Sequence, residues 1–271
     1  MDEYIAVVQM DCVTGEVKQN TDTMIRLLHA AKQEQKQLML AVFPEMCLYG
    51  YDRFNEIIIR CPQAAIEASL IRIAAACIKD QVDAVIGTPH YGAEGVENAF
   101  YYLSKTGTIQ HVYSKMHLVA SERSWMKAGN SYGICQTPLG RAGFLICWDT
   151  SFAEIVRLYA QDGADFIIAG AAWETPYERQ WELAVCARAF DNGLPVVAAN
   201  RIGTDGDVTF AGTSLIADCL GNVLARGEKK TEGYCMIEKH ILMNNHELET
   251  FGSPVRELRS ETYTRKHMKF F

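Results

Sequence analysis

Apolar and polar positions follow two rhythms along this chain. Short apolar runs of strand length alternate with longer stretches whose apolar residues recur at helical spacing. Residues 4–10 read as a β-rich opening strand, and residues 21–36 as an amphipathic helix with Met24, Leu27, Leu28 and Ala31 on one side. A buried strand over 38–43, a second long helix over 63–79 and a short apolar strand over 84–87 follow. Residues 98–104 and 109–115 pair as a hairpin across Lys105-Thr106-Gly107-Thr108. Beyond them come a strand over 142–147, a helix over 151–162 capped by Ser151, a strand over 166–169, a helix over 177–192 ended by Gly193, and a strand over 195–199. Residues 213–218 and 223–225 form a second hairpin around Leu220-Gly221-Asn222. This alternation predicts an α/β layered fold. No linker, low-complexity stretch or repeat interrupts it, so residues 1–243 read as one domain. Residues 244–271 are polar and rich in Glu, Arg and Lys, and read as an extension on the surface or against another subunit.

Composition narrows the class. With 271 residues, 49% of them hydrophobic, the chain has ample length for a sizeable core. A formal charge of −7 disfavours nucleic acid and anionic membranes, which attract basic surfaces. Every apolar run is broken well before about 18 residues, so no membrane span is expected. Met1-Asp2-Glu3-Tyr4 lacks a basic stretch leading into an apolar one, the mark of a signal peptide. The nine cysteines are odd in number and show no CxxC pair and no clustering with histidine. That usage predicts a cytoplasmic protein with reduced thiols, with Cys77 and Cys186 as core residues. The seven histidines show no HxH or HxxxH spacing, so no metal and no cofactor are expected.

The candidate chemistry lies where the apolar runs end. Sheets of this class place reactive groups at the carboxyl ends of strands. Glu45 follows one apolar strand in Phe43-Pro44-Glu45, Lys115 ends a second, and Cys147 ends a third in Ile146-Cys147-Trp148-Asp149. Together they supply a base, a cation and a thiol. Those are the groups needed to activate a sulfur nucleophile, shuttle its proton and stabilise the oxyanion formed at a carbon–nitrogen bond. Singly each has a plainer reading: a packed thiol, a solvated carboxylate, an edge-strand lysine. Three such groups in ordered context at three strand ends outweigh those readings.

The same segments resemble the nitrilase superfamily of carbon–nitrogen hydrolases. Phe43-Pro44-Glu45 matches its FPE segment, Tyr113-Ser114-Lys115-Met116-His117-Leu118 its Y-x-K-x-H-L segment, and Cys147-Trp148-Asp149 with the following helix its C-x-D segment. Gly163-Ala164-Asp165, Ala171-Ala172-Trp173, Ala187-Arg188-Ala189, Ala199-Asn200-Arg201 and Gly212-Thr213-Ser214 extend the likeness in order over nearly the whole chain. The resemblance implies a four-layer α-β-β-α sandwich, commonly dimerised through facing helices, so a homodimer or higher homo-oligomer is expected. Cys147 is then the nucleophile, Glu45 the general base and Lys115 the partner of the oxyanion. The N–H of Trp148, where the chain turns into a helix N-terminus, is the expected second oxyanion donor.

A second glutamate between lysine and cysteine belongs to the family's set. Glu122, with Trp125 three residues on and Gly129 before the next strand, fits the pattern and is expected to hold Lys115 and orient substrate or water. Trp173 and Glu174 are expected at the substrate pocket. His117 and Asp149 read as structural, the first as a hydrogen-bonding residue and the second as shaping the loop or helix start. Arg188 and Asn200 read as supports of the fold or an interface.

The expected partner is a small molecule. Cys147-Trp148-Asp149 and Ala199-Asn200-Arg201-Ile202-Gly203 resemble the corresponding segments of N-carbamoyl-amine and carbamoylputrescine amidohydrolases. Relatives that act on carboxylate-bearing substrates often place arginine shortly after the cysteine–aspartate pair, where Thr150 and Ser151 stand here. An acidic substrate would therefore need Arg201 or Arg53 to supply a guanidinium. The reading is hydrolysis of a small linear amide or N-carbamoyl amine through a thioester-type acyl-enzyme. A true nitrilase acting through a thioimidate and a catalytically silent scaffold are the alternatives.

Overall fold

The computed structural model describes residues 2–51 and 63–258. Its layering follows from how each strand divides its side chains. In β1 (Tyr4–Gln9), Ile5 and Val7 enter one apolar cluster while Ala6 and Val8 enter another. Successive strand residues face opposite sides, so the sheet built on β1 is covered on both faces.

After β1 come helix α1 (Val17–Glu34), strand β2 (Leu38–Val42), helix α2 (Gln63–Asp80), strand β3 (Asp83–Gly92), and strands β4 (Gly95–Leu103), β5 (Ile109–Ser114) and β6 (Met126–Lys127). The chain continues through β7 (Cys135–Thr137), β8 (Gly140–Ile146), a short 3₁₀ helix (Cys147–Ser151), α3 (Ala153–Gln161), β9 (Phe166–Ala171), α4 (Glu178–Asn192) and β10 (Val196–Asn200). The small hairpin β11 (Thr204–Asp205) and β12 (Val208–Thr209) precedes β13 (Leu215–Ala217), β14 (Val223–Arg226), β15 (Gly233–Glu238), α5 (Lys239–Leu242) and α6 (His246–Phe251).

Among the described residues, one sheet has the order β15-β1-β2-β3-β4-β5, with β6 beside β4, and a second has the order β14-β13-β10-β9-β8-β7. Val7, Val42 and Phe100 of the first share a core with Phe144, Ile168 and Ala198 of the second. Met24, Leu28, Ile66 and Ile73 seat α1 and α2 on the outer face of the first sheet. Val156, Tyr159, Trp181 and Val185 do the same for α3 and α4 on the second. The result is the expected α-β-β-α sandwich.

Several boundaries differ from the sequence reading for local reasons. Helix α1 begins at Val17, because Asn20 ties both the N–H and the carbonyl of Val13 at 2.9 Å. Thr21, expected at the helix start, lies inside it and donates to the Val17 carbonyl at 2.6 Å. Ser151 caps nothing, since it belongs to the 3₁₀ turn and α3 starts at Ala153 without a side-chain cap. Strand β15 has six half-buried positions and no apolar–polar alternation, so no periodic signal marks it. Cys77 is buried as expected, and Cys186 is partly buried and packed against the core.

The described part of the extension docks rather than trails. Leu248 is buried, and Phe251 meets the Phe190 ring at 6.1 Å. The basic-aromatic end, residues 265–271, and Arg53 lie outside the described residues.

Candidate active site

Each reactive group leaves its strand through a constrained turn. Glu45 follows β2 in a turn laid directly on β3. A Cβ on Gly87 would sit 2.2 Å from the Pro44 carbonyl oxygen and 2.5 Å from the Met46 nitrogen, so only glycine permits this approach. Lys115 leaves β5 with its N–H on the Asn98 carbonyl at 2.8 Å. Cys147 leaves β8 with φ 49°, a left-handed conformation that costs a non-glycine residue about 1–3 kcal/mol and concentrates at functional sites.

The three turns meet in a buried ionic cluster. Lys115 Nζ donates to Glu45 Oε1 and to Glu122 Oε1, each at 2.8 Å, and all three side chains are 0–1% exposed. Asn98 Nδ2 reaches the same two oxygens at 2.7 and 3.2 Å. The N–H of Ala172 donates to Glu45 Oε2 at 2.7 Å, that of Val119 to Glu122 Oε2 at 2.9 Å, and the Tyr51 hydroxyl to Glu122 Oε1 at 3.1 Å. Every oxygen of both carboxylates therefore has a donor, which is what a buried charge requires.

Glu122 follows Lys115 by only seven residues, and a compact return makes the pair possible. Gly129 donates to the Lys115 carbonyl at 2.8 Å, and a Cβ there would lie 2.2 Å from the Ser114 carbonyl oxygen. Glycine at position 129 thus lets the chain close over the lysine.

The charges set the resting protonation. Burial alone would lower the Lys115 ammonium, but Glu45, Cys147, Tyr51 and Glu122 outweigh it and hold it well above its ordinary value. Burial pushes the Cys147 thiol well up, and Glu45, its hydrogen-bond partner, adds to that despite the opposing pull of Lys115. The ammonium is charged and the thiol keeps its proton until a base removes it.

Cys147 opens onto a pocket of about 770 Å³. Its walls include Trp148, Trp173, Tyr177, Tyr51 and Phe210, with Glu174 as the acidic member among the described lining. Asn200 fixes one wall by accepting from the Trp173 N–H at 2.8 Å and donating to the Gly212 carbonyl at 2.7 Å. Trp148 stands 6.1 Å from Trp173 ring to ring, and its own backbone N–H belongs to the turn that Cys147 begins.

Of the expected site residues, Glu45, Lys115 and Glu122 come together, Cys147 adjoins them, and Trp148, Trp173 and Glu174 line the pocket. Arg201 stands apart from that lining. It is buried, and its guanidinium bonds the Cys12 carbonyl, faces Asp11 and Asp205 at 3.7 and 3.8 Å, and lies 4.2 Å from the centroid of the Phe210 ring. It packs on Phe210, which lines the pocket, and is not itself among the described lining. Asn98, Tyr51, Tyr177 and Phe210 were not singled out from the sequence. None carried a clear signal there, since even Asn98 follows Glu97 at the start of the apolar run 99–103. His117 and Asp149 bond each other, and Arg188 bonds the Thr150 carbonyl at 3.2 Å, in line with supporting roles. The grouping of Asp2, Glu238 and His240, close enough to hold a metal, touches none of this.

Comparison with known proteins adds an independent line. The family model described as carbon–nitrogen hydrolase matches residues 4–240. A probable nitrilase of Schizosaccharomyces pombe is 34% identical over 236 residues, covering 86% of this chain and 87% of its own. The 2-oxoglutaramate amidase of Bacillus subtilis is 30% identical over 229 residues, covering 83% and 86%. A carbon–nitrogen hydrolase from Helicobacter pylori superposes with a TM-score of 0.87 at 24% identity over 100% of both chains, a likeness of fold.

Proposed function

Since the chain belongs to the carbon–nitrogen hydrolase family, whose bonds of attack are not peptide bonds, we propose that it is a cysteine amidohydrolase of small linear amides or N-carbamoyl amines. The observation that carries the reading is the Lys115 ammonium held between Glu45 and Glu122 behind the thiol that faces the pocket.

Glu45 takes the thiol proton as Cys147 Sγ attacks the amide carbon. Protonation of Glu45 offsets the oxyanion formed by the attack, so the net charge of the site is unchanged and one negative charge moves from the carboxylate to the substrate oxygen. The new C–S bond turns the carbonyl oxygen into an oxyanion, which Lys115 and the Trp148 N–H stabilise. Removing one such donor typically costs about 10²–10³ in rate. Collapse breaks the C–N bond, and Glu45 passes its proton to the departing nitrogen. Water then attacks the thioester, giving its proton to Glu45, and the thiol is restored. Glu122 holds Lys115 for both steps.

The pocket favours an uncharged or weakly polar substrate body. Its walls are aromatic, and no Lys or Arg lines it among the described residues. The B. subtilis relative is named for a substrate that bears a carboxylate, which this lining does not complement. A nitrile is the second candidate, supported by the name of the S. pombe relative. The same thiol would attack it to form a thioimidate. Exposed Leu158, Leu183 and Phe190 on α3 and α4 support a homodimer, checked by light scattering. A working thiol also suits a reducing, cytoplasmic setting.

The deciding screen measures ammonia release over carbamoyl amines, ω-amides, aliphatic amides and matching nitriles, with Cys147→Ala as the blank. Turnover on an amide or carbamoyl amine that vanishes in the blank supports the proposal. Equal turnover in Cys147→Ala sinks it, and acid formed from a nitrile but not from its amide turns the reading to a nitrilase.

A further inference from the structure

We infer that Asp149 is a positioning residue that fixes Lys115 and Cys147 relative to each other across the two sheets. The inference rests on the glutamate–lysine–cysteine reading above.

Asp149 is fully buried, and its carboxylate collects four hydrogen bonds: from the His117 N–H at 2.9 Å, the His117 ring Nδ1 at 2.8 Å, the Tyr113 hydroxyl at 2.8 Å and the Ile146 N–H at 3.0 Å. The origin of these donors is the point. Tyr113 and His117 stand two residues before and two after Lys115, on the segment that leaves the first sheet. Ile146 and Asp149 itself bracket Cys147, on the segment that leaves the second. One carboxylate therefore ties both sides of the lysine to both sides of the cysteine. Charge-assisted bonds of this kind are about twice as strong as neutral ones, and fully satisfied buried networks rigidify what they join.

The donors are themselves held in place. The His117 ring stacks on Phe152 at 3.7 Å with planes 11° apart, and the Tyr113 ring lies on Phe144 at 6.4 Å. The same carboxylate also supports the left-handed cysteine. It binds the N–H just before Cys147, while Thr150 Oγ1 binds the Cys147 carbonyl at 2.7 Å. Asp149 is absent from the pocket lining, so it acts through its neighbours and not on substrate.

A plain capping role would lower stability alone; a positioning role lowers kcat out of proportion and leaves KM. Asp149→Asn keeps the shape but turns one accepting oxygen into a donor. It should lower kcat about 10²-fold with KM within about threefold, because a small misplacement of catalytic groups has that effect. Tyr113→Phe removes a single bond and keeps the ring. It should lower kcat about fivefold to tenfold at unchanged KM, and slow iodoacetamide alkylation of Cys147 in parallel. Tyr132→Phe is the matched control, since it removes a surface tyrosine–aspartate bond of 3.1 Å to Asp162. If Asp149→Asn does not fold, Tyr113→Phe decides. A kcat in Tyr113→Phe equal to that of the control, or a loss shared by kcat and KM, overturns the inference. Cys147→Ala runs alongside: turnover there would sink the underlying reading, whereas an inactive Cys147→Ala with full kcat in Tyr113→Phe sinks only the positioning role.

Discussion

Two regions meet at Cys147 and are built on opposite principles. Behind the thiol, Glu45, Lys115, Glu122 and Asn98 are buried and share oxygens within 3.2 Å of their donors. In front of it, five aromatic side chains share the pocket wall with small, aliphatic and polar residues, Trp148 being 38% and Tyr177 50% exposed. In the first region each group depends on the others for its charge state, so no member can leave without stranding a buried ion. In the second, each ring adds its area nearly independently. Substitutions behind the thiol should therefore strike rate and stability together, while those in front should change binding alone.

Lys115→Met is the severest test of that contrast. It removes the oxyanion partner and leaves Glu45 and Glu122 facing one another without a cation. Activity should fall at least about 10³-fold, and stability by about 3–5 kcal/mol. The pH dependence has a definite sign. The folded ammonium is held well above its ordinary value, chiefly by Glu45 once the opposing effect of burial is overcome. Below the unfolded value of about 10.4, folded and unfolded chains both hold the proton and the stabilisation is complete. As pH rises past it, the unfolded chain gives up its proton first, and the stabilisation is lost towards the folded value. Thermal melts should show a gap between wild type and Lys115→Met that narrows as pH rises above about 10. A gap that already narrows as pH rises from neutral to about 9 would mean that the ammonium is not clamped.

Asn98→Ala probes the same region more gently. Its amide spans Glu45 and Glu122, so its loss leaves both ions in place with one donor fewer each. Loss of a hydrogen bond to a buried charged group is worth about 1.5–3 kcal/mol. Steady-state kinetics should show kcat about 10–100-fold lower at similar KM, with a lowered melting temperature. A change in KM alone would place Asn98 with the pocket instead.

What the sequence revealed follows the same divide. Glu45, Lys115 and Cys147 were legible because each ends an apolar strand inside a short motif, and Glu122 because of its spacing to Trp125 and Gly129. An α/β layered fold was legible too, since strand and helix periods alternate, while the pairing of two sheets between helices was implied by the family resemblance. Of the pocket wall around Cys147, only Trp148, Trp173 and Glu174 were legible. Tyr51, Tyr177 and Phe210 come from three separate loops, and an aromatic residue in a loop carries no local mark of what it will face. The surroundings of Arg201 were hidden for a related reason: Asp11, Asp205 and the Cys12 carbonyl stand around it, and they lie far away in sequence or carry no motif. Strand β15 stayed hidden because its half-buried edge position needs no alternation.

Tyr177→Ala should give the smallest effect and the cleanest. The ring sits at the pocket edge, half-exposed, while the backbone carbonyl of Tyr177 accepts from Trp173 Nε1 at 3.0 Å and survives the substitution. The neighbouring wall thus keeps its anchor. An aromatic contact of this kind contributes about 0.5–1.5 kcal/mol, so KM for an accepted substrate should rise about twofold to tenfold. Because the ring binds ground and transition states alike, kcat should not change. The melting temperature should stay within about 2 °C, as for most exposed substitutions. If kcat falls instead, the ring also shapes the reacting geometry, and the front of the site is as interdependent as the cluster behind it.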